Sequence, residues 1–165
     1  MKTLSKLFGL GLALLLAGLG SAHANDAKTT IADLDARLAK IGAPRLDGKA
    51  KAGDTEVAAI YFGPRRINGN YDVVDEIKRS TGATATVFVK SGDEFVRVST
   101  NVLTPEGKRG VGTQLAHAKA YDALRKGEGY CGVVDVLGTS FDACYNPIKD
   151  GSGQLIGVTY VGYKK

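Results

Sequence analysis

Few residues of this chain have side chains suited to catalysis or metal binding. Among its 165 residues are two histidines and two cysteines, and no C-x-x-C pair occurs. His23 lies in an N-terminal leader, so a zinc set or a Ser-His-Asp site would depend on His117 alone. Glycine-rich loops with the spacing that cradles phosphate are also absent. We therefore expect no enzymatic activity, no bound metal and no cofactor.

The N-terminus has the features of a secretory signal peptide. Lys2 and Lys6 precede an apolar run over 7–19, and a small-residue site follows at 22–24. The run of about 13 residues is shorter than the roughly 20 apolar residues of a membrane-spanning helix. We predict cleavage after Ala24, export to the periplasm and no membrane insertion of the mature chain; an uncleaved anchor is the alternative.

The basic residues are not arranged as a nucleic-acid-binding surface. The formal net charge is only +5. The basic pairs at 65–66, 108–109 and 164–165 are far apart and have no interleaved aromatic residues. This pattern is typical of solvated surface, so nucleic acid is not expected as a partner.

One arginine lies where an anion could be bound. The pattern of residues 95–101 predicts a β-strand in which Phe95, Arg97, Ser99 and Asn101 share one face. If that face is covered, the guanidinium needs an anionic partner, either a structural carboxylate or the carboxylate of a ligand. Arg97 and Asn101 are therefore candidate ligand-binding residues. A structural ion pair or an exposed edge position is the alternative for Arg97.

The two cysteines lie where they can pair across a β-hairpin. Strands predicted over 130–136 and 139–148 leave a two-residue loop between them. In that register Cys131 lies directly opposite Cys144 as a non-hydrogen-bonded pair, where side chains approach most closely. Because an exported protein folds in an oxidising compartment, we predict a Cys131–Cys144 disulfide. Two free buried thiols are the alternative.

The same register brings two tyrosines together. Tyr130 and Tyr145 face each other on an otherwise apolar surface, and their hydroxyls suit a small amphipathic ligand. Plain core packing beneath the N-terminal helix is the alternative for this pair. Tyr121, in a predicted crossover helix, and Arg109, in the loop before it, are further candidates, with a surface position as the alternative for each.

Three helices and five strands are expected to position these residues. Apolar side chains recur every three or four residues over 27–41, which predicts a long N-terminal helix that ends at Gly42. A polar stretch over 45–55 and an apolar run over 57–62 follow, and a second helix begins after Asn70 and stops at Gly82. The strands are predicted over 83–90, 95–101, 130–136, 139–148 and 154–162, and a helix over 114–126, with His117 on its solvated face, connects the second strand to the third.

Several short motifs resemble those of a known family. In chain order they are GATATVF at 82–88, FVRVSTNV at 95–102, RGVGT at 109–113, GYCG at 129–132 with LG at 137–138, YNPIKD at 145–150 with Gly153, and IGV at 156–158 with YVG at 160–162. Their order and spacing resemble the extracytoplasmic Cache sensor domains of the single-domain Cache 3/Cache 2 type. The resemblance covers roughly residue 57 to the C-terminus.

The resemblance implies an α+β, PAS-like fold for a single domain over 25–165, with its core at about 57–163. In such a fold a five-stranded antiparallel sheet carries the long N-terminal helix on one face. The helices and loops inserted in the sheet cover a small-ligand pocket on the other face. This agrees with the order of helices and strands predicted from the residues.

The resemblance also implies a sensor that binds a small molecule. We expect an exported, periplasmic domain that takes a small organic acid, an amino acid or a similar metabolite and is linked to chemotaxis or signal transduction. Because the chain ends at Lys165, soon after the last predicted strand, we expect the signal to pass through a separate membrane-bound receptor or kinase. The alternative is an accessory protein-interaction module of such a receptor or kinase, with no small ligand of its own.

Overall fold

The computed structural model describes residues 26–165, so the predicted signal peptide at 1–24 lies outside the described residues. Within 26–165 there are three helices and eight strands. The helices are α1 (Ala27–Ile41), α2 (Asp72–Thr81) and α3 (Lys119–Leu124). The strands are β1 (Pro44–Ala52), β2 (Thr55–Phe62), β3 (Arg65–Arg66), β4 (Thr84–Ser91), β5 (Glu94–Thr100), β6 (Tyr130–Val136), β7 (Thr139–Lys149) and β8 (Leu155–Lys164).

A five-stranded antiparallel sheet forms the centre of the fold, in the order β5-β4-β8-β7-β6. α1 and α2 pack on one face, where Leu34, Leu38 and Val74 are buried against the sheet. The insertion between β5 and β6, which contains α3, covers the other face. The predicted α+β architecture, with a long helix on one face and the insertion on the other, is confirmed.

Strand alternation divides the core into two layers. On β4, Val87 packs in the layer of α1 and α2, while Phe88 packs in the layer under the insertion. On β7, Cys144 and Tyr145 divide in the same way. Tyr145 and its partner Tyr130 therefore lie on the face away from the N-terminal helix, beneath the insertion.

A second sheet of three strands follows α1, in the order β1-β2-β3. The polar stretch at 45–55 forms most of β1 and its turn into β2, which sequence patterns did not predict. Most β1 side chains are exposed, so no alternation of apolar and polar residues marks the strand. Antiparallel pairing with the more apolar β2, from Pro44 opposite Phe62 to Ala52 opposite Thr55, holds β1 in place.

Two glycines bring the end of α1 close to the end of β2. Gly63 N donates a hydrogen bond to Ala43 O at 3.0 Å. A Cβ atom on Gly63, whose φ is 53°, would overlap the carbonyl oxygen of Ile41, and one on Gly42 would overlap the backbone of Gly63. Because only glycine fits both the conformation and the space at Gly63, this contact fixes how α1 enters the fold.

The helix predicted over 114–126 begins later than expected. α3 covers only Lys119–Leu124, and the segment before it runs beside β5. Since β5 is an edge strand, its free backbone groups take partners from this segment, and that pairing replaces the first turns of the predicted helix. The bonds run from Arg97 N to Thr113 O at 2.9 Å, from Gly112 N to Arg97 O at 2.8 Å and from Leu115 N to Phe95 O at 2.9 Å.

Candidate functional site

Arg97 lies inside the layer covered by the insertion, where the residue is only 3% exposed. Its Nη1 donates hydrogen bonds to Thr113 Oγ1 at 3.0 Å and to Gln114 O at 2.9 Å. The guanidinium carbon also lies 4.8 Å from the centre of the Phe88 ring, in a cation–π contact. One nitrogen thus makes both hydrogen bonds, and both acceptors are neutral.

The guanidinium of Arg97 has no counter-ion among the described residues. No carboxylate in 26–165 lies within the 4.0 Å limit of an ion pair with it. Its Nε is buried and has no hydrogen-bond partner in that part of the chain. Burial lowers the pKa of Arg97, and the nearby hydroxyls of Tyr145 and Tyr160 oppose that effect. A buried cation in this state is suited to receive an anionic group.

Two buried tyrosines stand beside this cation. The ring centres of Tyr145 and Tyr160 are 5.0 Å apart on the paired strands β7 and β8. The pKa of Tyr160 is raised to about 12 because burial outweighs the opposing effect of its hydrogen bond with the Thr84 hydroxyl at 3.2 Å. Burial also raises the pKa of Tyr145. Both phenols are therefore neutral at physiological pH, and Arg97 is the charged group of this cluster.

A cavity of about 340 Å³ adjoins the cluster, between the segment that precedes α3 and strands β6 and β7. Tyr130, Tyr145 and Leu115 are among its lining residues. Leu115 directly follows Gln114, whose carbonyl accepts a hydrogen bond from Arg97. Arg97 does not line the cavity itself, but Tyr145 belongs both to its wall and to the surroundings of the guanidinium. The volume falls at the lower end of small-molecule sites.

The predicted face of β5 is wrong beyond Arg97, because the strand contains a bulge. Phe88 pairs with Arg97 while Val87 pairs with Ser99, which leaves Val98 as an extra residue. Ser99 is thereby turned to the α2 side, where its hydroxyl donates to Asn70 O at 2.6 Å.

Asn101 follows the bulge and lies apart from Arg97. Its Nδ2 donates to Val74 O in α2 at 2.6 Å, and its Oδ1 accepts from Ala85 N at 2.8 Å. The amide thus joins α2 to β4. The structure does not bring Asn101 to the cavity beside Arg97.

Arg109 is held by a surface ion pair outside the cavity. Its guanidinium donates to both carboxylate oxygens of Asp75, at 2.8 and 2.9 Å, and to Thr100 O at 2.9 Å. It also lies over the ring of Tyr71, with 4.4 Å to the ring centre. The hydrogen bonds to Asp75 raise the pKa of Arg109. These contacts connect the insertion to α2.

Tyr121 packs within the layer under α3. Its hydroxyl donates to Asp93 O at 2.8 Å, and its ring meets Phe95 edge-on with 6.1 Å between centres. His117 stacks on the outer side of Tyr121 at 4.1 Å and lies 2.9 Å from the carboxylate of Glu94. His117 is exposed, as predicted, but it precedes α3 instead of lying within it.

The predicted disulfide between Cys131 and Cys144 is confirmed. The two residues are directly opposite each other in the β6–β7 register. β6 is an edge strand of the sheet, and it carries Tyr130 and Val134 of the cavity wall. The disulfide therefore ties that wall to the inner strand β7.

Sequence reasoning missed two contributors to the site. Phe88 and Tyr160 lie on strands that the sequence predicts, but sequence patterns did not predict which residues contact them on the neighbouring strands. In the β7–β8 register, Pro147 lies opposite Val158 and Tyr145 opposite Tyr160. A register shift between Ile148 and Lys149 breaks the count from the turn, so the sequence alone did not identify Tyr160.

Within residues 26–165, no group of three or more His, Cys, Asp or Glu side chains could hold a metal ion. In the same residues, no helix has the length and hydropathy needed to cross a membrane.

The chain matches a protein-family model described as Cache 3/Cache 2 fusion domain over residues 22–165. The matched range includes α1, both sheets and the insertion that covers Arg97. No curated protein matches the chain.

Proposed function

Because the chain belongs to the Cache 3/Cache 2 fusion domain family, we propose that it is an exported, periplasmic sensor module that binds a small organic acid at Arg97. Domains of this family are extracellular sensor modules. The signal-peptide pattern at 1–24 and the Cys131–Cys144 disulfide fit export to an oxidising compartment. An amino acid, which also carries a carboxylate, belongs to the same ligand class.

The buried, unpaired guanidinium of Arg97 is the observation that carries the proposal. Both hydrogen bonds of the guanidinium leave from Nη1, so its Nε edge is left for the two oxygens of a carboxylate. In a layer with this much apolar surface, a ligand carboxylate would compensate a charge that the protein leaves uncompensated.

The neighbouring cavity supplies room for the rest of such a ligand. Its lining combines the apolar side chains of Leu115 and Val134 with the phenols of Tyr130 and Tyr145. Because Arg97 is only 3% exposed, the ligand must displace Tyr145 or the segment before α3 to reach it. That segment is held to β5 chiefly by backbone hydrogen bonds, so it is the element expected to move.

We further propose that a separate membrane-bound receptor or kinase reads the bound state. Cache sensor domains typically sit in membrane receptors, which supports a partner of this kind. The segment before α3 and the edge strand β6 flank the cavity, so the partner would sense a change in this part of the surface.

The test is a ligand screen of the mature chain with its disulfide intact. Thermal shift against small carboxylates, amino acids, amines and purines should select carboxylates, and calorimetry then gives the affinity. A native-state ligand at a hundredfold excess over its Kd adds about 2.7 kcal/mol of stability. Arg97→Met should abolish the shift, whereas Lys126→Ala, an exposed position without an ion pair in 26–165, should retain it.

Two results would contradict this proposal. Carboxylate binding that survives in Arg97→Met would remove Arg97 from the site. A flat screen of a protein that melts cooperatively would favour the alternative, an accessory module that binds a receptor or kinase and has no small ligand of its own. Retention of the partner from a membrane extract, without any added ligand, would then identify that module.

A further inference from the structure

A second cavity lies on the opposite face of the sheet, beside the C-terminal half of α1. Its volume is about 340 Å³. Leu38, Phe62, Pro147 and Ile148 give its walls apolar surface. The sheet separates this cavity from Arg97, since Leu38 and Ile148 belong to the layer of α1. It is therefore distinct from the proposed carboxylate site.

One carboxylate, that of Asp35, lines this cavity without a cationic partner. Its Oδ1 accepts from Thr159 Oγ1 at 2.7 Å, and its Oδ2 accepts from Asn146 Nδ2 at 2.7 Å. Both donors are neutral, and no Lys, Arg or His within 26–165 lies in ion-pair distance of it. The two hydrogen bonds fix the carboxylate in position, and each oxygen retains capacity to accept another.

The end of α1 adds partial negative charge to the same cavity. Ala39 and Gly42 line it, and they lie in and just after the last turn of the helix. Gly42 has a φ of 149° and a ψ of −178°, which is not the left-handed helical conformation of a usual C-cap, and no capping backbone N–H is found for α1 within the described residues. By contrast, Gly82 N caps α2 by donating to Lys78 O. The C-terminal end of a helix carries partial negative charge, which favours a cation nearby.

Among the described residues that line the cavity, Lys149 carries a positive charge, and it is more exposed and less fixed than Asp35. Lys149 is exposed at the end of β7, and its Nζ lies against Gly127, beyond α3. No hydrogen bond within 26–165 fixes that ammonium group. Asp35 is half-buried and held from two sides, which makes it the better ordered charge in this cavity.

From these contacts we infer that the cavity beside α1 binds a small organic ammonium ion with an apolar body. The ammonium group donates to Asp35, close to the negative end of α1, and the apolar body fills the space between Leu38, Phe62 and Ile148. This site is independent of the proposed carboxylate site. It would give the module a second input of opposite charge.

The test compares three probes of similar shape on the mature chain. Phenylethylamine is cationic at neutral pH, phenylethanol is its neutral counterpart, and phenylpropionate is its anionic one. Titrations followed by amide and methyl NMR should show saturable shifts at Leu38 and Ile148 with the amine. The affinity for the amine should exceed that for the alcohol by about tenfold or more, as expected for a charge-assisted contact. Phenylpropionate should not shift these residues.

Variants identify the carboxylate. Asp35→Asn keeps the shape and should lower the amine affinity about tenfold or more. Asp33→Asn is the matched control, because Asp33 lies on the same helix but pairs with Arg37 at 2.9 Å, and it should leave the affinity unchanged. Lys149→Gln should raise the affinity by removing a like charge. That exposed variant tests the site even if Asp35→Asn does not fold.

Three outcomes would overturn the inference. The first is equal affinity for the amine and the alcohol, and the second is equal amine affinity in the wild type and in Asp35→Asn. The third is no change in the NMR signals of Leu38 and Ile148 at any amine concentration. Arg97→Met separates this inference from the proposed function. In that variant, amine binding should persist while carboxylate binding is lost, so each proposal can fail without the other.

Discussion

At the scale of single residues, the uncompensated charge of Arg97 should cost the ligand-free protein stability. Its guanidinium has two neutral acceptors and no carboxylate within the described residues. Replacement of buried charge by an apolar side chain is often neutral or stabilising. We expect Arg97→Met to leave the free energy of unfolding in urea unchanged or raised by about 1 kcal/mol. A loss of more than about 3 kcal/mol would instead assign Arg97 a structural role.

Two buried phenols should govern the response to alkali. Burial raises the pKa of Tyr160 to about 12 and also raises that of Tyr145, whereas an exposed tyrosine ionises near 10.0. Between these values the unfolded chain releases protons that the folded chain still holds, so the free energy of unfolding falls as pH rises from about 10 to 12.

Phenolate absorbance measured against pH tests this expectation. Tyr145 and Tyr160 should ionise well above pH 10.0, as the protein unfolds. Tyr160→Phe should weaken the alkaline loss of stability. Ionisation of all seven near pH 10.0, with the fold intact by circular dichroism, would contradict the burial of these two groups.

The sequence indicated some of these residues and not others, for physical reasons. Arg97 was a candidate because a charged residue in the middle of a strand needs a partner if its face is covered, and Tyr145 was a candidate because of the hairpin register. Asn101 was misplaced because the bulge at Val98 reverses the faces of β5, and no residue type marks a bulge of this kind. The lack of a counter-ion for Arg97 depends on side chains distant in the chain, so only the structure could reveal it.

At the scale of the elements, the disulfide is expected to stabilise the edge of the sheet that carries the cavity wall. β6 pairs with β7 alone, and Cys131 and Cys144 are 13 residues apart. Replacing both by alanine should lower the free energy of unfolding by about 3 kcal/mol, as the chain-entropy model gives for a loop of this length. Urea unfolding measures this change, and a loss below about 1 kcal/mol would show that β6 is held by its other contacts.

The junction of α1 with β2 should be sensitive to a single methyl group. Gly63→Ala places a Cβ against the carbonyl oxygen of Ile41 at a positive φ, so it should destabilise the protein by about 2–4 kcal/mol. Gly151→Ala is the matched control, because Gly151 is exposed, has no positive φ and has open space around its Cα. Thermal melts of the two variants should differ by several degrees. Equal melts would mean that α1 can shift without cost.

Elements with a strong pattern were predicted more closely than those without one. The two-residue turn sets the whole register of β6 and β7, and the apolar spacing of Ile31, Leu34 and Leu38 marks the buried side of α1. β1 escaped prediction because its exposed side chains show no alternation, and only pairing with β2 makes it a strand. The start of α3 moved because edge pairing with β5 competes with helix formation, which is a tertiary effect.

At the scale of the whole molecule, the five-stranded sheet separates two cavities that adjoin different charged groups. One adjoins the uncompensated cation of Arg97 beneath the insertion, and the other adjoins the carboxylate of Asp35 beside α1. The two layers share the strands but not the side chains, because alternation sends neighbouring residues such as Thr159 and Tyr160 to opposite faces. A sensor built in this way would receive two inputs without competition between their ligands.

Whether those inputs are coupled is a property of the sheet, and the structure favours weak coupling. No hydrogen bond or ion pair within 26–165 joins Arg97 to Asp35, and the segment before α3, which the carboxylate is expected to move, lies across the sheet from α1. We expect the Kd of a carboxylate, measured by calorimetry, to change by less than about twofold when the amine is saturating, which is below typical allosteric coupling. Hydrogen exchange should show protection of the segment before α3 by the carboxylate and of the end of α1 by the amine. A larger change in Kd, with protection from exchange spreading across β7 and β8, would mean that the sheet transmits one binding event to the other site. By reciprocity, the carboxylate would then change the amine affinity by the same factor.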